Sequence, residues 1–188
     1  MNEKLFMPVI LGTARDGRQS EKVAQYVVDA IQRYGFETEL VDVRNIPQVA
    51  TEADASVVHT DALKKWQAIA ARADGFIIVS PEYNHSLPGE LKMLIDALFD
   101  EYRHKVVAFC GVSSGRFGGV RMVEAFLPIA LTLHLTPIEP TMHFGQVESL
   151  FDDSGLKDKA AWDERMKGMF DELAWYGRVL KAGRQAGK

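Results

Sequence analysis

Gly75-Phe76-Ile77-Ile78-Val79-Ser80-Pro81-Glu82-Tyr83-Asn84-His85-Ser86-Leu87-Pro88-Gly89 is the stretch that decides the fold. Its opening residues, Gly75 to Ser80, form a continuous apolar run. They lack the polar alternation of a strand that shows one face to water, and so read as a strand buried on both faces. Two prolines then stiffen a polar loop, and Pro88 suits the first turn of a helix, where a missing N–H costs nothing. That helix carries Leu91, Leu94, Ile95 and Leu98 at helical spacing. A strand covered on both faces needs helices above and below it, the arrangement of a parallel sheet between two helical layers.

The same alternation extends in both directions. Leu5 to Leu11 (LFMPVIL) reads as a first strand, with Pro8 near its start and Val9, Ile10 and Leu11 as its firm part. After a loop from Gly12 to Gln19, Ser20 can cap a helix whose Val23, Val27, Ala30, Ile31 and Tyr34 share a face, and Gly35 stops it. Phe36 to Val43 is a second strand, polar enough for a sheet edge. Residues 44–58 then make a connection longer than most. Leu63, Trp66, Ile69, Ala70 and Ala73 mark another helix. Lys105 to Val112 is a fourth strand, followed through a glycine-rich loop by a helix from about Phe117 to His134. Thr136 to Ile138 is a short fifth strand, and Trp162, Met166, Met169, Phe170, Leu173 and Leu180 stripe a final helix. Strands separated by helices require right-handed crossovers, and ligands then bind at the carboxyl ends of the strands. The 188 residues suit a single domain, 1–188.

Composition narrows the partners. With 22 basic and 26 acidic residues, the net charge of -4 carries no footprint for nucleic acid or an anionic membrane. A lone Cys110 forms no internal disulfide, and the chain reads as cytoplasmic. None of His59, His85, His104, His134 and His143 has a partner at metal-ligand spacing, so no metal site is expected.

Three strand-end loops carry the chemistry. Gly12 to Ser20 leads from a buried strand into a helix N-terminus. Its amides, its hydroxyls on Thr13 and Ser20, and the guanidinium groups of Arg15 and Arg18 suit a phosphate, although neither a Walker sequence nor G-x-G-x-x-G is present. Ser80 to Gly89 offers the flat face of Tyr83 and the amide of Asn84. Gly111-Val112-Ser113-Ser114-Gly115-Arg116-Phe117-Gly118-Gly119 is dense in glycine, which lets backbone approach a planar ligand. It also contains G-x-S-x-G between a strand and a helix. A serine hydrolase with Ser113, Glu139 and His143 is therefore a competing reading, although no H-G-G-G sequence is present.

Together these loops resemble the NADPH-dependent FMN reductase family of flavodoxin-like proteins, which includes quinone, azo-dye and chromate reductases. The resemblance runs from about Met7 to Leu133 and is strongest at Pro81-Glu82-Tyr83-Asn84, Ser86, Pro88-Gly89, Leu91-Lys92 and Ile95-Asp96. It implies a three-layer α/β/α fold with a five-stranded parallel sheet of order 2-1-3-4-5. It also implies FMN with its phosphate at Thr13, Arg15, Gln19 and Ser20, and its ring against Pro81, Glu82, Tyr83 and Asn84 and against Ser113, Gly115 and Gly118. His85 and Phe117 stand as candidate substrate walls. Arg18 departs from the small polar residue common in the family. The loop also lacks the Thr/Ser-rich phosphate sequence of electron-shuttle flavodoxins.

Activity follows from the resemblance: NADPH or NADH reduces FMN, which passes the electrons to a quinone, flavin or similar small acceptor. One open flavin face implies ping-pong exchange. A flavin-binding sensor is the non-catalytic alternative. The helices after Pro88 and Gly118 are apolar on more than one face, which suggests burial against another subunit, and the family implies a homodimer or homotetramer.

Overall fold

The computed structural model describes residues 4–46 and 60–187. Most of the 44–58 connection therefore lies outside the described residues. Strand β1 (Val9–Leu11) pairs in parallel with β2 (Leu40–Asp42) on one side and β3 (Gly75–Pro81) on the other. Strand β3 pairs along its whole length with β4 (Lys105–Val112). The fifth position is shared: β5 (Leu135–Pro137) pairs with β4 at Lys105 to Val107, and β6 (Met142–Phe144) pairs with it at Cys110 to Val112. The order β2-β1-β3-β4-β5 is the one the resemblance implies. The expected second strand is shorter than the sequence suggests; Glu37 joins the sheet only through an isolated bridge to Phe6.

Helices α1 (Ser20–Tyr34), α2 (Asp61–Arg72), α3 (Gly89–Asp96), α4 (Val120–Thr132), a single turn α5 (Val147–Leu150) and α6 (Lys159–Ala186) complete the layers, with a small hairpin of β7 (Phe151–Asp152) and β8 (Gly155–Leu156). The strand side chains alternate between two cores. Val9, Leu11, Ile77, Val79, Val106 and Ala108 meet α1 and α6, whereas Ile10, Phe76, Ile78, Val107 and Phe109 meet Trp66 of α2, Leu91 and Leu94 of α3, and Phe126 of α4. This two-sided burial is why β3 from Gly75 to Val79 and β4 from Val106 to Val112 are apolar throughout.

Helix ends follow local chemistry. Gly35 terminates α1 with φ 110°, and Thr60 caps α2 by accepting the Leu63 N–H at 3.1 Å. Ser20 does not cap α1. Gln19 takes that position in a helical conformation without a side-chain bond, and Ser20 becomes the first helical residue. At the amino-terminal end of the strands, buried Asp74 accepts from the Phe6 N–H, Lys181 and Arg184, each at 3.1 Å. The adjacent Lys105 ammonium donates to the Ala70 carbonyl at 2.6 Å and the Ala71 carbonyl at 3.0 Å. Burial, with Arg184 nearby, pushes this lysine down to about 8.

Candidate active site

The carboxyl ends of β1, β3 and β4 open onto a cleft of about 370 Å³. The β1–α1 loop contributes Arg15 to Ser20, the segment beyond β3 contributes Pro81, Glu82 and Tyr83, and the end of β4 contributes Val112, Ser113 and Ser114. Val147 and Glu148 of α5 close the rim.

In the first loop, Gly17 turns the chain with φ 67° and α1 begins directly after. Among the described residues, the backbone N–H groups of Asp16, Gly17, Gln19 and Ser20 find no acceptor. The Ser20 hydroxyl, on a residue 2% exposed, is also unpartnered. A cluster of orphan donors at a helix N-terminus is an anion site, because the helix dipole and the N–H groups act together there. Arg15 is exposed beside it. Thr13 is fully buried and bonded to the Tyr83 hydroxyl at 2.9 Å, which ties the first loop to the second.

Arg18 is held within the protein. Its guanidinium grips Asp42 in a two-pronged pair, Nη1 to Oδ1 at 2.7 Å and Nη2 to Oδ2 at 2.5 Å, and Nη1 also donates to the Thr13 carbonyl. That bond to Asp42 raises the Arg18 pKa against the opposing effect of burial. On Asp42 burial acts upward, but the bonds from Arg18 and from the Arg44 N–H prevail and lower its pKa. Arg18 is thus a latch between the first loop and the end of β2.

The second loop is a two-residue hairpin. Tyr83 and Ser86 exchange both backbone bonds at 2.9 and 3.0 Å, while Asn84 (φ 49°) and His85 (φ 64°) take the left-handed conformations of a type I′ turn. The turn aims these two side chains at solvent, so both are exposed and neither lines the cleft. Glu82 lines it, but its carboxylate accepts from the Arg121 N–H (3.1 Å) and guanidinium (3.4 Å) at the start of α4.

The third loop owes most of its glycines to backbone packing. A Cβ on Gly111 would lie 2.4 Å from the Gly118 carbonyl, and one on Gly118 (φ 59°) 2.7 Å from the His143 backbone. Gly118 is buried and lies outside the lining, as do 66%-exposed Phe117 and exposed Gly115, where a Cβ would meet only the Ser113 hydroxyl at 4.0 Å. The Ser113 hydroxyl donates to the Gly115 carbonyl at 2.9 Å. Both His143 ring nitrogens are engaged elsewhere, with Thr141 at 2.8 Å and the Gly118 carbonyl at 3.1 Å. The hydrolase triad is therefore not assembled.

The cleft thus gathers Arg15, Gln19, Ser20, Pro81, Glu82, Tyr83 and Ser113 from the expected set. It also holds Arg18, which the sequence offered as a second phosphate cation, and adds Asp16, Gly17, Val112, Ser114, Val147 and Glu148, which sequence reasoning did not single out. Val147 and Glu148 arrive because β6 carries the chain back over the cleft: Gln146 N–H donates to the Gly115 carbonyl and Val147 N–H to the Ser113 carbonyl. A three-residue strand gives no periodicity to find it by.

Comparison with known proteins now decides the family, since residues 7–149 match the family described as NADPH-dependent FMN reductase. The chain belongs to that family. Among its relatives are an NADPH azoreductase of Bacillus sp., 32% identical over 62% of this chain and 64% of that protein, and a quinone reductase of Pseudomonas putida, 28% identical over 85% and 88%. A 2-hydroxy-1,4-benzoquinone reductase of Burkholderia sp. is 28% identical over 80% and 84%. In fold, the chain is similar to the flavoenzyme NAD(P)H:acceptor oxidoreductase FerB of Paracoccus denitrificans, with TM-score 0.77 at 16% identity over 93% and 98%. The protein is an oxidoreductase of FMN-dependent type. Its residues fit that cofactor on their own account: an orphaned buried hydroxyl and unpaired N–H groups await an anion, and a stiff hairpin and glycine-bearing loop flank the space beside it.

Proposed function

We propose that the chain is an NAD(P)H-dependent reductase of quinones and similar flat, small acceptors, working by ping-pong exchange through FMN held in this cleft. The observation that carries the reading is the unpartnered Ser20 hydroxyl among free N–H groups at the head of α1. Ser20, Gln19 and the N–H groups hold the phosphate, and Arg15 supplies the charge. Thr13 acts through its bond to Tyr83. Pro81, Tyr83 and Ser113 flank the ring, Asn84 and Gly115 stand at the rim beyond it, and Glu82 and Gly118 fix the loops that carry them. His85 and Phe117 stand at the outer rim as substrate walls. When bound, FMN supplies hydride acceptance and return at N5, so no protein acid or base is required. Relatives named quinone reductase and benzoquinone reductase support the acceptor class.

The test is anaerobic. FMN-loaded protein should bleach with NADPH or NADH and regain colour with a quinone, and double-reciprocal plots at several fixed acceptor concentrations should be parallel. A bound flavin that NAD(P)H does not bleach would make this a sensor. Intersecting lines would remove the shared face.

We also propose a homodimer through α3 and α4, one that can pair into a homotetramer. Helix α6 lies on the opposite core, so Leu127 (43% exposed), Leu131 (77%) and Phe99 (48%) stay uncovered beside a groove lined by Leu98, Ile129 and Leu133. A monomeric mass by light scattering at micromolar concentration would contradict this assembly. The compartment proposed is the cytoplasm, where reduced nicotinamides are kept. No helix among the described residues is long and apolar enough to cross a membrane.

A further inference from the structure

We propose that Arg18 and Asp42, with Arg44 beside them, are positioning residues for the FMN phosphate. They hold three successive carbonyls away from the cleft and leave the N–H groups at the head of α1 free for the anion. The inference rests on the assignment of the phosphate to the 13–20 loop.

The register places the parts. Asp42 ends β2 opposite Leu11, where β1 leaves the sheet, so its carboxylate stands beside the first loop. One carboxylate then organises two guanidinium groups. It pairs with Arg18, whose side chain is 2% exposed against 15% for Asp42, and its Oδ1 accepts the Arg44 N–H at 2.9 Å, capping a 3-10 turn at Val43 to Asn45. The Arg44 side chain reaches back to the Ala14 carbonyl (3.1 and 3.2 Å) and the Arg15 carbonyl (2.8 Å). With Arg18 on the Thr13 carbonyl, all three carbonyls from 13 to 15 are taken by guanidinium donors. A carbonyl facing a phosphate would repel it, so fixing these outward removes the competing loop conformations before the ligand arrives.

Direct contact between Arg18 and the phosphate is the obvious alternative, and the donor count argues against it. A guanidinium carries five N–H groups. Four of these are committed to Asp42 twice, to the Thr13 carbonyl, and through Nε to Glu21 at 3.3 Å. The Arg18 charge is also neutralised in place by Asp42. Arg15 is left as the exposed cation and Arg18 as the frame.

Riboflavin, which is FMN without its phosphate, separates framing from general damage. Arg18→Gln and Asp42→Asn should each weaken FMN about tenfold while riboflavin affinity changes by less than about twofold. The double variant should be no weaker than the weaker single one, because both break one unit. Arg44→Gln, at a half-exposed side chain, should act in the same direction by a smaller factor, and keeps the test alive if Arg18→Gln does not fold. FMN affinity that is unchanged, or that rises in Asp42→Asn because Arg18 has been freed for direct contact, would overturn the proposal. So would a parallel loss of both flavins. Arg15→Ala and Ser20→Val monitor the underlying assignment. If they too leave FMN and riboflavin unaffected relative to each other, the phosphate lies elsewhere and the site itself is misassigned. If they change that ratio while Arg18→Gln and Asp42→Asn do not, only the framing role fails.

Discussion

The first loop and the third are both strand-to-helix connections at the same end of the sheet, yet they are shaped by different physics. Residues 13–18 are held by side chains: two arginines, one aspartate and a Thr13–Tyr83 bond. Residues 111–119 are held by backbone, with Gly111, Gly118 and Gly119 packed so closely that a Cβ on any of them would sit under 3 Å from another residue's backbone. A charged latch can be lost while the loop survives in other conformations, so damage there should be specific to the anion. Steric packing has no such intermediate, and damage there should reach the core.

The largest effect should therefore come from Gly118→Ala. Added strain at φ 59° and contact with His143 should cost about 2–3 kcal/mol of stability in denaturant unfolding. Affinities for FMN and riboflavin should fall together. A loss confined to FMN would erase the distinction between the loops. Next comes Arg15→Ala, which removes one charge-assisted contact worth about 1.5–3 kcal/mol. That is roughly a tenfold to hundredfold weakening of FMN by fluorescence titration, with riboflavin unmoved. Unchanged FMN affinity would take Arg15 out of the site.

A third prediction separates binding from stability through a group remote from both loops. Lys105 has its pKa lowered to about 8, against an ordinary value near 10.4 in the unfolded chain. Between these values the unfolded state binds the extra proton, so stability rises with pH from about 8 to about 10, by up to about 1.4 kcal/mol per pH unit. Lys105→Met should abolish that rise in pH-dependent melting. Persistence of the slope would assign it to another group. The smallest effect is Tyr83→Phe, which loses the bond to Thr13 and about 0.5–1.5 kcal/mol. It should weaken FMN more than riboflavin if the bond steadies the phosphate side.

The same contrast explains what the sequence revealed. Strands β3 and β4 were legible because burial on both faces leaves unbroken apolar runs, Phe76 to Val79 and Val106 to Cys110. The loops were legible as loops through Gly12, Pro81 and the 111–119 glycines. The latch was not: Arg18 and Asp42 lie 24 residues apart, and only the β1–β2 register brings them together. Strand β6 escaped notice because Met142, His143 and Phe144 are too few to show a period, and Val147 and Glu148 went unnoticed with it. The reason for the third loop's glycines was also hidden, since their neighbours are backbone atoms of distant residues.

A crystal structure of the FMN complex tests the central claim most directly. The account predicts phosphate oxygens within hydrogen-bond distance of the Ser20 hydroxyl and the N–H groups at the head of α1, with Arg18 still paired to Asp42. A phosphate bound outside the 13–20 loop, with the Ser20 hydroxyl still unpartnered, would contradict it.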